Sequence, residues 1–373
     1  MKKKLLHLQL LPILSGVQRF SLHLLDGLNS DEYDVFVAGK PGGELVDEVR
    51  KRGWKFLPIY SFRHPISPMD IFAFFEIIYL LKKHKFDIVH TNSSKPGLLG
   101  RIAAHMLKIP LIVHTIHGTS YQDHQHGLVQ KGFMELEKLG NRYSDYTIFV
   151  NNSDRLGMLE RGLITEDKAI TIFNAMPDDG SFDGIGERKL NEDKIVFGST
   201  LRFSMQKNVI ALTTAACKAC IVNKNLHFIF LGDGEHLSLC RQIVGSYRLS
   251  ERILMPGWDS QVLPWLKLFD AFILYSRWEA MPFSIIEAMK AGLPVLGSSI
   301  PSISELVDDK SGWLVALDDE SALVQTLGEI CKNPTQILKK GKYARRHINE
   351  LCNYENMVQS YDEVYQRLNR KEG

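Results

Sequence analysis

No stretch of the 373 residues stays apolar for long enough to cross a bilayer, which argues against a helical membrane span. Cysteine is scarce and scattered. The five present (Cys217, Cys220, Cys240, Cys331, Cys352) are an odd, scattered set, which fits a reducing compartment. Cys217 and Cys220 have the spacing of a redox pair but fall mid-helix, away from the helix N-terminus that would lower a thiol pKa. Burial explains them better. An excess of one charge is also missing. Lys plus Arg is 45 and Asp plus Glu 43, so no overall field selects nucleic acid or a membrane surface. The basic start, Met1-Lys2-Lys3-Lys4, precedes an apolar run from Leu5 to Leu14. Histidine, glutamine and proline interrupt that run and no small-residue cleavage site follows, so a secretory leader is not expected. Lys2 to Leu10 reads as a first strand, and a cytoplasmic location is the expectation.

What is there is a βα rhythm played twice. Apolar runs at Lys4–Leu10, Asp34–Ala38, Lys55–Ile59, Asp87–Thr91, Leu111–Thr115, Tyr146–Val150 and Ala169–Phe173 read as buried parallel strands, with helical segments between them. A polar, turn-rich stretch, Pro177-Asp178-Asp179-Gly180-Ser181-Phe182-Asp183-Gly184, reads as a linker. A second series follows at Ile195–Ser199, Leu226–Leu231, Arg252–Met255, Ala271–Tyr275, Pro294–Leu296 and Trp313–Val315. A length of 373 residues suits two such domains rather than one core. The expected division is a first domain over 1–177, a linker over 178–193, a second domain over 194–350 and a final helix with its tail over 351–373. That helix, Tyr354 to Leu368, has Met357, Val358, Tyr361, Val364, Tyr365 and Leu368 at helical spacing.

The most informative pair is Glu279 and Glu287. Glu279 follows the Ala271–Tyr275 strand, and Glu287 sits among Ile285, Ile286, Ala288 and Met289 in a helix that begins near Pro282 and ends at Gly292. A carboxylate among apolar neighbours needs a partner. Between the two lie the first-turn N–H groups of Met281, Pro282, Phe283 and Ser284, proline itself contributing none; these carry partial positive charge. The arrangement suits a diphosphate flanked by two hydroxyl-rich sugars. The segment Ser276 to Val295 closely resembles the retaining glycosyltransferases of the large family 4, whose motif is two glutamates separated by seven residues, usually before a Gly-Leu-Pro-Val-like strand start. The resemblance implies an α/β fold of the GT-B type: two doubly wound, Rossmann-like domains facing across a cleft, with a C-terminal helix crossing back to the first. It also implies that Glu279 meets the transferred sugar and Glu287 the donor ribose.

The resemblance extends to other loops. Arg202 and Lys207 leave the second domain's first strand together, where open α/β sheets bind ligands, and the family's arginine and lysine there contact the diphosphate. His117, at the end of the Leu111 strand, corresponds to a histidine that reaches the transferred sugar. Gly16 matches one of two family glycines, Ser15 replacing the other; a plain turn capped by Ser15 is the alternative. Gly232 is expected to line the donor site and Trp258 to border the nucleobase. Ala280 stands where glycine is common. His114, Asp123, His124 and His126 could suggest a metal site, but their spacing is irregular and the resemblance implies none, so no cofactor is expected beyond a nucleotide-sugar co-substrate.

Ile66 to Leu81 is apolar on nearly every face, with lysines just after it. Burial against the sheet is the expectation; peripheral docking on the inner membrane leaflet is the other reading. The resemblance implies transfer of a hexose or N-acetylhexosamine from a UDP-sugar to a lipid-linked oligosaccharide, in O-antigen, capsule or exopolysaccharide synthesis. Two other readings stay open: a nucleotide-sugar epimerase or hydrolase of the same architecture, and a non-catalytic scaffold subunit.

Overall fold

A computed structural model describes residues 2–63, 67–121, 127–185, 190, 191 and 193–370. The chain divides into two units. Unit 1 is Met1–Met176 with Tyr354–Gly373, and unit 2 is Pro177–Asn353.

Unit 1 carries a seven-stranded sheet of β1 (Lys3–Leu8), β2 (Tyr33–Gly39), β3 (Lys55–Pro58), β4 (Ile88–Asn92), β5 (Leu111–Ile116), β6 (Tyr146–Phe149) and β7 (Ala169–Thr171). The strands are parallel and ordered β3-β2-β1-β4-β5-β6-β7. Helices cover parallel strands on both faces, and β4 and β5 are buried at every position, their polar residues included. The final helix, Tyr354–Gln366, belongs to this unit. Its Tyr361 and Tyr365 are fully buried, Tyr33 donates to Asp362 at 2.6 Å, and Tyr354 donates to the His23 carbonyl at 2.8 Å. The last helix therefore returns to the first sheet, as the resemblance implies.

Unit 2 repeats the scheme with β8 (Ile195–Thr200), β9 (Leu226–Leu231), β10 (Ile253–Gly257), β11 (Ala271–Leu274), β12 (Val295–Ser298) and β13 (Gly312–Val315), all parallel and ordered β10-β9-β8-β11-β12-β13. Both units thus share the strand order of doubly wound nucleotide-binding sheets. Thr335–Leu351 forms a helix that carries little signal in the sequence. Its buried stripe is Ile337, Gly341, Ala344 and Ile348, so half of the packing face consists of small residues that carry little hydrophobic signal. Cys217 and Cys220 are buried mid-helix, and burial pushes their thiols up to about 11 and about 12.

Helix Asp70–His84 corrects the expectation for the apolar segment, whose Ile66 lies outside the described residues. It buries Ala73, Ile77, Leu80 and Leu81. The opposite face leaves Ile71, Phe72, Phe75 and Tyr79 between 59% and 63% exposed. Among the described residues no helix is long and apolar enough to cross a membrane.

Candidate functional site

In unit 2, strands β8 and β11 lie side by side, and the chain runs on from them to opposite edges of the sheet. Ligands bind open parallel sheets beyond the C-terminal ends of such a pair, where the two departing loops leave room. Loop 201–208 leaves β8 and loop 275–282 leaves β11, and three bonds hold them together. The Arg277 N–H donates to the Gln206 carbonyl at 2.8 Å, the Gln206 amide donates to the Trp278 carbonyl at 3.0 Å, and the Lys207 ammonium meets the Glu279 carboxylate. The side chains of this ion pair are only 16% and 6% exposed. Lys207 and Glu279, picked out separately from the sequence, therefore converge. Gln206, which was not picked out, is the residue that aligns them.

The glycines beside this loop are required sterically. Gly232 has φ +143°, and a Cβ there would fall 1.8 Å from the Leu201 carbonyl oxygen. Only a glycine lets the β9 end run against the β8 loop, through Leu201 N–H to Leu231 O at 2.9 Å and Phe203 N–H to Asp233 O at 2.9 Å.

Arg202 pairs with a different carboxylate. It is 74% exposed and lies 3.5 Å from Glu235, a surface pair of small energetic weight. Neither it nor the exposed Trp258 bonds to the Lys207–Glu279 pair. Helix Phe283–Lys290 starts one residue later than the sequence suggested. Pro282 is its N-cap (φ −73°, ψ 114°) rather than its first helical residue, because the loop stays extended until Phe283. Met281 is buried, Phe283 and Ser284 are half-buried, and Glu287 is half-buried in the second turn. Ala280 is outside the left-handed region, so its β-carbon is accommodated where the family favours glycine.

Unit 1 has the matching pair in β1 and β4, and its strand ends carry histidines instead of carboxylates. His7, His90 and His114 are fully buried, and His117 stands half-buried just past β5. His90 bonds Tyr365 at 2.6 Å and Thr115 at 2.8 Å, while His114 bonds Thr91 at 2.9 Å. His117 Nε2 meets Asn92 Oδ1 at 3.0 Å, and its ring lies against Phe20, 4.9 Å between centroids. Burial pushes His7 and His117 down to about 3 and holds His90 and His114 well below the ordinary imidazole value, so all four are neutral at neutral pH. Sequence reasoning passed over His7, His90 and Asn92. The available signal was a polar residue repeated inside apolar strands, each one needing a buried partner.

Gly16 opens helix Gly16–Gly27 at the end of the β1 loop. Ser15 occupies the N-cap at φ −87°, an ordinary extended conformation, so replacing a family glycine strains nothing. Its hydroxyl does not cap the helix; it donates to the Gln18 side chain. Of the metal alternative, Asp123, His124 and His126 lie outside the described residues. Among the described residues no cluster of His, Cys, Asp or Glu could hold a metal ion.

Two family patterns match the chain. The one described as Glycosyltransferase Family 4 covers residues 14–179, and the one described as Glycosyl transferases group 1 covers residues 185–347. The UDP-Gal:alpha-D-GlcNAc-diphosphoundecaprenol alpha-1,3-galactosyltransferase of Escherichia coli is 31% identical, over 97% of this chain and 96% of that protein. The N,N'-diacetylbacillosaminyl-diphospho-undecaprenol alpha-1,3-N-acetylgalactosaminyltransferase of Campylobacter jejuni is 22% identical, over 79% and 81% of the two chains. Among solved structures, Anabaena Alr3699/HepE in complex with UDP-glucose superposes with a TM-score of 0.81 at 16% identity, covering 97% of this chain and 99% of that one. At that identity the likeness is one of fold.

Proposed function

The chain belongs to glycosyltransferase family 4 and has its GT-B fold, and we propose that it is a retaining enzyme that uses a UDP-sugar. It moves a hexose or N-acetylhexosamine to a sugar hydroxyl of a lipid-linked oligosaccharide, in the synthesis of a bacterial surface polysaccharide. The observation that carries this reading is the Lys207–Glu279 pair at the end of β8 and β11, which sets a cation for a diphosphate beside a carboxylate for a sugar. The names of the two undecaprenol-linked relatives support the lipid-linked acceptor, and the UDP-Gal of the first supports the donor.

In this mechanism the acceptor oxygen bonds to the anomeric carbon on the face from which the diphosphate leaves. The bond from that carbon to the phosphate oxygen breaks, and the departing oxygen takes the acceptor's proton. No strong protein base and no metal is needed. Arg202 and Lys207 offset the charge that builds on the diphosphate. Glu279 faces the transferred sugar and Glu287 the ribose hydroxyls, while Gly16, Gly232, Trp258 and Met281, Pro282, Phe283 and Ser284 complete the donor site. His117 reaches the transferred sugar as a neutral imidazole.

The acceptor's lipid sits in a membrane, and helix Asp70–His84 is the face that meets it. Ile71, Phe72, Phe75 and Tyr79 form its exposed apolar stripe, and Lys82, Lys83 and Lys85 stand exposed at its end. The helix's two acidic residues turn away. Asp70 pairs with Lys95 at 2.8 Å and Glu76 accepts from Ser61 at 2.8 Å. What remains is aromatic and cationic, which suits an anionic leaflet at about 1 kcal/mol per lysine.

The test combines the purified chain with UDP-, GDP- and TDP-sugars and a polyprenyl-diphosphate-linked acceptor, and reads the product anomer by NMR. An α-linked product from an α-linked UDP donor supports the reading. An inverted product removes the retaining mechanism, sugar release at equal speed without acceptor indicates a hydrolase, and full turnover by Glu279→Ala removes the site. Co-sedimentation with anionic but not zwitterionic vesicles, lost in Phe72→Ser/Phe75→Ser, checks the membrane face.

A further inference from the structure

The buried hydrogen bonds around His117 have directions that can be followed from a fixed end. The Val17 carbonyl can only accept, so the Ser21 hydroxyl, 3.0 Å away, donates its single proton there. The Ser21 oxygen must then accept, and the atom 2.5 Å from it is Gln9 Nε2. That settles which way the Gln9 amide faces. Its oxygen accordingly accepts from the Gln18 amide at 3.4 Å, and Gln18 in turn accepts from Ser15. The second Gln9 N–H reaches His7 Nδ1 at 3.3 Å, so that nitrogen carries a lone pair and the His7 proton sits on Nε2, which is buried and has no partner among the described residues. An amide oxygen facing that lone pair would be repelled, so Asn92 turns Nδ2 to it, 3.2 Å away and sharing the lone pair with Gln9, which places Asn92 Oδ1 towards His117 Nε2 at 3.0 Å. An amide oxygen only accepts, so His117 Nε2 bears the proton. His117 Nδ1 is left as a bare lone pair on a half-buried residue, without a hydrogen-bond partner among the described residues.

We infer that Ser21, Gln9, His7 and Asn92 are positioning residues which lock His117 in its Nε2–H tautomer, so that Nδ1 accepts a hydrogen bond from a ligand hydroxyl. A phosphate or carboxylate oxygen, which has no proton to offer, is turned away at this nitrogen. The inference rests on the reading above only in taking that hydroxyl to be one of the transferred sugar. What it adds is the direction of the bond and the four residues that impose it. Burial of the imidazole agrees with a neutral ring. The relay joins β1, the helix after it and the end of β4, so a change at Asn92 acts on His117 without touching the ligand.

The experiment labels the full chain with ¹⁵N-histidine and reads the ring nitrogens at neutral pH by long-range ¹H–¹⁵N correlation, with His117→Gln identifying the His117 signals. The expected spectrum shows His117 protonated at Nε2 alone. A proton at Nδ1, or an imidazolium, overturns the inference. Asn92→Leu, which removes both amide contacts, should mix the two tautomers, whereas Asn92→Asp, whose carboxylate still accepts from Nε2–H, should keep the signature and raise the His117 pKa. Asn92→Leu with an unchanged spectrum overturns the positioning role, and Asn92→Asp keeps the test open if the leucine variant does not fold. In kinetics, a UDP-sugar lacking the recognised hydroxyl should lose roughly threefold to tenfold in kcat/KM with the parent chain, the weight of one hydrogen bond. With His117→Ala that loss should disappear. An equal loss in both overturns the hydroxyl assignment. If no nucleotide sugar binds at all, the proposed function fails while the NMR signature still decides the relay.

Discussion

Replacing Lys207 by methionine leaves the Glu279 carboxylate 6% exposed with its cation gone. Removing one partner of a buried ion pair costs about 3–5 kcal/mol, because the remaining charge keeps its desolvation penalty and loses its compensation. The lower end applies here, since Lys207 is itself 16% exposed and the two neighbouring loop bonds through Gln206 survive. With a urea m-value of about 2 kcal/mol/M, a loss of about 3 kcal/mol moves the unfolding midpoint down by about 1.5 M. Four of the five tryptophans (Trp258, Trp265, Trp278 and Trp313) lie in unit 2 and Trp54 in unit 1, so a Trp54→Phe background lets tryptophan fluorescence follow the unfolding of unit 2. The double variant Lys207→Met/Glu279→Leu removes both charges together. It should recover most of the loss, because an apolar pair of similar volume is often as stable as the ions it replaces. It should also abolish transfer. Stability and activity then part company, which is the mark of charges kept for chemistry. A single-variant loss below about 1 kcal/mol would refute the burial argument, and turnover by the double variant would refute the catalytic one.

Acid should destabilise unit 1. Its buried histidines have folded pKa values below the unfolded value of about 6.5, so the unfolded chain takes up protons first as pH falls. Stability is therefore full above pH of about 6.5 and declines towards about 3, with His7 and His117 together removing about 4 kcal/mol by pH of about 5. Hydrogen exchange of unit 1 amides checks it, and a flat profile between those limits sinks it. Gly232→Ala forces a β-carbon to within 1.8 Å of a backbone oxygen at positive φ, so a loss of at least about 2 kcal/mol and weaker UDP binding are expected by denaturation and calorimetry. Tyr365→Phe leaves His90 Nδ1 buried without the partner it has at 2.6 Å, and should lower unit 1 stability by about 1–3 kcal/mol in urea.

Much of the fold was legible because buried parallel strands are largely apolar, and each of the thirteen strands of the two sheets overlaps a mainly apolar segment set off by turn signals. Helix Thr335–Leu351 was not, since its packing face is half glycine and alanine. The chemistry followed the same rule. Lys207 and Glu279 could be singled out although 72 residues separate them, because each follows a strand at which the sheet reverses its order. Arg202 and Lys207 looked equivalent in sequence, yet one is at the surface and the other holds a carboxylate; only the loop's path decides that. The relay behind His117 was illegible for a different reason. It depends on which end of each amide faces its neighbour, a property of packing that residue type and spacing do not encode.

Helix Tyr354–Gln366 supplies buried aromatic rings to a sheet whose last strand ended at Thr171, after the whole of unit 2 has intervened. On the ribosome the second sheet can therefore complete its core while the first still waits for its closing piece. A chain broken off by a premature stop before residue 354 would carry a finished unit 2 joined to an open unit 1. Chaperones and proteases would meet the exposed hydrophobic seam at the N-terminal end of that fragment, although the lesion lies at its other end.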